Sequence, residues 1–182
     1  MRNWIFGLLL VSAVIFAAVP DDQDIDVKVV KAGSDLVVDV AFRVNARRSD
    51  AWRVLTDYDD MVRFVSTLEE SRVVRRTGNE LDVVQKGKIH FGLLSFPFDS
   101  IRRIELEPFS EIRSFMMQGD LANSRFTTRL LDEGGATLIT QHGQLIPSMW
   151  VPPGIGPAII EARTRQQWQE FRAEILRRAA NP

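Results

Sequence analysis

His90, His142 and Arg102 are the side chains whose chemistry matters most in this 182-residue chain. A histidine exchanges a proton near neutral pH, so each of the two is tested first for acid-base work. His90 shares strand parity with Lys86 and Lys88, which puts it on an outward face. His142 lies on a strand of ambiguous parity: Ile139 and Leu145 favour one face, Leu138 and Ile146 the other. An inward His142 would be a polar group in a cavity, an outward one a surface histidine. With no Cys and two separated His, no usual zinc-ligand spacing exists, and neither a metal nor a cofactor is expected. There is no G-x-S-x-G nucleophile elbow. Gly154 and Gly156 form G-x-G among Pro152, Pro153 and Pro157 rather than after a strand, which does not make a phosphate loop. Glu105 and Glu107 read as a solvated strand face, and Asp57, Asp59 and Asp60 as helix-start caps. No catalytic residue is assigned.

Face alternation places Gln85, Ile89 and Phe91, then Phe96, Phe98, Ser100, Arg102 and Ile104, then Phe126, Thr128 and Leu130 on one inner side. Most are apolar, and both a filled core and the lining of a ligand site fit that pattern. Arg102 and Gln85 stand out. A buried guanidinium needs a partner, either the polar head of a bound ligand or an acidic residue at a cavity rim.

The elements that must position these residues follow from periodicity. Asp35 to Asn45 is Val-rich with partial alternation and reads as a strand. Two short helices follow, one capped by Ser49 or Asp50 and carrying Ala51, Trp52, Val54 and Leu55, the other starting at Asp59 or Asp60. From Glu69 to Pro147 the period is two, and breaks at Thr77-Gly78-Asn79, Gly92, Pro108, Gly119-Asp120 and Glu133-Gly134-Gly135 separate six strands. The last segment, to about Ala180, has helical spacing with Ile160, Thr164, Trp168, Phe171 and Ile175 on one face. The expected fold is α+β: a curved seven-stranded antiparallel sheet, two short helices after its first strand, and a long C-terminal helix on the concave face.

Hydrophobic residues make up 45% of the chain and charged ones 26%, which suits one globular domain, placed at residues 35–180. The balance of 23 Lys+Arg against 24 Asp+Glu gives no field that would recruit nucleic acid. Ahead of the domain, residues 20–34 read as a polar linker. Arg2 precedes an apolar run from Trp4 to Val19, and Asp21, Asp22, Asp24 and Asp26 follow it. Positive before and acidic after predicts a signal peptide or membrane anchor over residues 1–19, with the body exported to a periplasmic or secreted location.

The order β, α, α, six β, long α resembles the helix-grip superfamily, which includes START lipid-transfer domains and the polyketide cyclase/dehydrase and coenzyme Q-binding branch. The resemblance is carried by DAWRVLTDYDDMVRFV after the first strand, GGATLIT at the start of the last strand, and PSMWVPPGIGPAIIEARTRQQWQEFRAEILRR leading into the final helix. It implies an apolar cavity between sheet and helix, entered beside the Met149 to Ile155 loop, whose Trp150 would join the lining and whose apolar residues would touch a bilayer. It does not imply one activity. The expected function is non-enzymatic binding or transport of a lipid-, quinone- or sterol-like molecule. A polyketide cyclase/dehydratase-like enzyme and a protein-interaction module using the outer sheet face are the alternatives.

Overall fold

The computed structural model describes residues 24–91, 94–119, 121–146 and 156–181. The leader expected over residues 1–19, Trp150 and the Met149 to Ile155 loop, and the side chain of Phe91 lie outside the described residues. In chain order the elements are β1 (Asp26–Ala32), β2 (Asp35–Val44), α1 (Arg48–Leu55), a 3-10 helix (Tyr58–Arg63), β3 (Leu68–Thr77), β4 (Glu80–Phe91), β5 (Leu94–Glu107), β6 (Glu111–Gln118), β7 (Arg125–Asp132), β8 (Thr137–Leu145) and α2 (Pro157–Ala180). The strands form one sheet in the order β1-β2-β8-β7-β6-β5-β4-β3, and every neighbouring pair is antiparallel. No helix among the described residues is long and apolar enough to cross a membrane.

The architecture is the expected α+β helix-grip arrangement, with one correction. Among the described residues the sheet has eight strands, not seven, and the added strand β1 occupies part of the stretch read as a linker. Val27 and Val29 are buried while Asp26, Lys28 and Lys31 stay exposed, so the segment does alternate. Its few buried positions are masked in the sequence by the acidic run before them. Gly33, at φ 66°, supplies the left-handed turn that folds β1 back on β2. The outer edge of β1 is covered by α2: Arg165 donates from Nε to the Ile25 carbonyl at 3.2 Å and from Nη2 to the Val27 carbonyl at 3.5 Å.

The capping also differs from expectation. Arg47, not Ser49 or Asp50, holds the N-cap position of α1, and it makes no side-chain cap bond. Asp50 lies buried in the first turn, accepting from Arg47 Nε at 2.9 Å and Arg53 Nη2 at 2.7 Å. Asp59 accepts the backbone N–H of Val73 on the edge strand β3 at 2.7 Å, and Asp60 pairs with Arg178 at 3.0 Å.

The C-terminal half of α2 closes the core. Trp168, Phe171 and Ile175 are buried, with the Trp168 ring 5.3 Å from Phe42 and 5.4 Å from Phe171. Below them Arg178 reaches Asp57 at 2.6 Å, tying the helix end to the segment after α1. Glu174 accepts from Arg177 and Arg178, which hold its carboxyl down at about 2 despite its burial. The N-terminal half packs less closely: Ile160 and Thr164 are only half-buried.

Candidate ligand-binding site

Along each inner strand face the residue type changes in the same order. On β4 the sequence is Leu81 and Val83, then Gln85, then Ile89; on β5 it is Ile104, then Arg102 and Ser100, then Phe98 and Phe96. β6 repeats it as Ile112, Ser114, Met116, and β7 as Leu130, Thr128, Phe126. The first residues of each series are buried core, the polar ones are sealed or nearly so, and the last are half-buried. A closed core therefore passes, through a polar belt, into a half-buried, largely aromatic surface.

Most of the belt is joined through Arg102 and Gln85, with Gln141 and Thr128 as a separate pair. Arg102 donates from Nη1 to Gln85 Oε1 at 2.7 Å and from Nε to Ser114 Oγ at 3.1 Å. Gln85 Nε2 donates to Ser71 Oγ at 3.0 Å, which fixes the amide with its oxygen toward the guanidinium. Ser100 Oγ donates to the Gln85 carbonyl at 3.3 Å, and Gln141 Nε2 to Thr128 Oγ1 at 3.1 Å. The 3-10 helix lies over this floor, with Tyr58 and Met61 both buried and Met61 Sδ 3.6 Å from Gln85 Nε2.

The electrostatics are unusual. Among the described residues Arg102 meets no carboxylate, so the acidic rim partner considered from sequence is replaced by two neutral acceptors. Burial pushes its pKa below the ordinary arginine value, opposed only by Tyr58, and burial pushes the Tyr58 hydroxyl up to about 12. At neutral pH both groups are donors and neither is a base. Arg102 nevertheless keeps some accessible surface.

Of the residues expected at a site, Gln85, Arg102 and Thr128 sit together in the belt, and Ile89, Phe96, Phe98 and Phe126 form the half-buried apolar surface beside it. Ile104 and Leu130 belong to the closed core, 0% and 1% exposed. His90 is exposed. His142 faces outward, exposed, its Nδ1 2.6 Å from Asp39 Oδ1, so it takes no part in the interior. Sequence reasoning did not single out Ser71, Ser114, Gln141, Tyr58 or Met61. It also missed Gly143, where a Cβ would fall 2.1 Å from the Phe126 ring: only glycine lets that ring lie flat across β8. Parity on β6 was the available signal for Ser114, whereas β8, with apolar residues on both parities, offered none for Gln141.

Residues 44–172 match the sequence profile of the family described as polyketide cyclase / dehydrase and lipid transport. The chain belongs to that family. No curated protein matches the chain by sequence. Among solved structures it is similar in fold to the Zhui aromatase/cyclase of Streptomyces sp. R1128, at 13% identity and TM-score 0.65, covering 80% of this chain and 94% of that one. It is similar also to a STAR-related lipid transfer protein of Xanthomonas axonopodis, at 11% identity and TM-score 0.61, covering 82% and 98%. A protein of Thermus thermophilus overlays with TM-score 0.66 at 16% identity, covering 80% and 99%. A cyclase and a lipid carrier on one fold leave the activity of this family member to its own site.

Proposed function

We propose that this protein binds and carries an apolar small molecule of lipid, quinone or sterol type between the concave sheet face and α2, without transforming it. The observation that carries the reading is the half-buried surface of Ile89, Phe96, Phe98 and Phe126 beside the polar belt. Large apolar side chains left half-buried on one inner face offer apolar area for a ligand to cover. The chemistry of the belt favours carriage: Arg102 and Tyr58 can orient a carbonyl, but neither accepts a proton at neutral pH. The lipid transport part of the family description agrees.

The delipidated protein is expected to melt at a higher temperature in the presence of such ligands. The gain should follow mass action, about 2.7 kcal/mol at a ligand concentration 100 times Kd. Unchanged melting across alkyl-chain, quinone and sterol probes would instead direct attention to the outer sheet face as a protein-binding surface. Turnover of a polyketide-like carbonyl substrate would replace carriage by catalysis.

The site of action follows from the leader. Arg2 ahead of the apolar run and the aspartates after it support a body held outside the cytoplasm. Fused at the C-terminus, a phosphatase reporter that works only after export should be active; activity confined to a cytoplasmic reporter would contradict the proposal.

A further inference from the structure

We propose that the carried molecule has an anionic head, a carboxylate or a phosphate, seated on Arg102 with its chain running toward Phe96, Phe98 and Phe126; this rests on the apolar-ligand reading above. The distribution of carboxylates points to it. On the outer sheet face Arg75, Arg103, Arg113 and Arg129 each meet an acidic side chain, although water already screens them there. The inner-face guanidinium of the belt, where desolvation makes a counter-charge matter most, has none among the described residues.

Its protein contacts also leave donors unspent. Nε–H is given to Ser114 and one Nη1–H to Gln85. The two Nη2 hydrogens and the second on Nη1 have no acceptor among the described residues. Gln85 cannot turn to offer more, because Ser71 holds its amide nitrogen. A planar fork with free donors and an uncompensated positive charge match a small oxyanion. The next inward residues along β5, Phe98 and Phe96, then continue the path with apolar surface.

Calorimetric titration of the delipidated protein at pH 8 with dodecanoate, dodecyl phosphate and dodecanol tests this. The anions are expected to bind about 10–100-fold more tightly than the alcohol, the span of one charge-assisted contact. The tighter of the two anions identifies the head as carboxylate or phosphate. Arg102→Met should bring both anions to the affinity of dodecanol while leaving dodecanol within about threefold. Removing the buried charge and giving up its bonds to Gln85 and Ser114 act in opposite directions on stability, so affinities are compared at a temperature where parent and variant are both folded. Arg102→Gln serves as a second variant that keeps part of the belt's hydrogen bonding. Equal affinity for all three probes, or an equal loss for all three in the variants, would overturn the anionic head and leave the carrier reading standing. No binding by any probe would overturn both.

Discussion

Replacing Trp168 by alanine should lower the unfolding free energy by about 3–5 kcal/mol, read from the shift of the urea midpoint at unchanged slope. The residue is 6% exposed, and its indole meets Phe42 from β2 and Phe171 one turn along α2. Truncation removes the apolar contact and leaves a void between helix and sheet that neither ring can fill without moving the backbone. For a domain whose whole stability is about 5–15 kcal/mol, the loss is a large share. Its functional consequence follows from where the helix is held. The buried residues of α2 all lie between Trp168 and Ile175, so truncating the first of them loosens the hold of the whole helix on the sheet. Ligand affinity should fall with stability in this variant, whereas in Arg102→Met the two should separate. A cost below about 1 kcal/mol would mean that α2 does not anchor the sheet.

Gly87→Ala should be nearly as damaging, at about 3 kcal/mol, at the upper end of what one inserted methyl costs in a packed interior. A Cβ at this position on β4 would lie 1.9 Å from the carbonyl oxygen of Thr67 and 3.0 Å from the Phe98 ring. The first obstacle is backbone and cannot rotate aside. It also accepts the N–H of Lys88 at 3.0 Å, so retreat breaks a hydrogen bond at the irregularity where β3 enters the sheet between Leu68 and Glu70. Because Gly87 stands between Gln85 and Ile89, any shift of β4 displaces the belt and the apolar surface together. Thermal melting and ligand titration of the same preparation should therefore both fall. Wild-type melting in Gly87→Ala would show that β3 can move away from β4 at little cost.

Much of this site was visible before any tertiary structure. The inward direction of Gln85, Arg102, Phe96, Phe98 and Phe126 came from strand parity, which is local: successive side chains point to opposite faces whatever the partner strand. The buried stripe of α2 was equally local, since a 3.6-residue period alone aligns Trp168, Phe171 and Ile175. The strand β1 escaped because its few buried positions stand beside a run of aspartates, and only pairing with β2 and the cover of Arg165 make it a strand.

What the sequence by itself determined was which residues share a face, the number of strands after the two short helices, and that a positive charge enters an apolar interior. Tertiary structure alone decided who meets that charge. Gln85, Arg102 and Ser114 come from three strands, and their contact depends on the stagger of β4, β5 and β6, including the irregularity between Ile101 and Arg102. His142 shows the same limit, since apolar residues on both parities of β8 cancel the local signal. Its outward face was settled only when the register set it opposite Asp39 and set Gly143 under Phe126. Face is a property of one strand's backbone, whereas partnership requires the relative shift of several, and a shift of one residue turns every side chain of a strand to the other side.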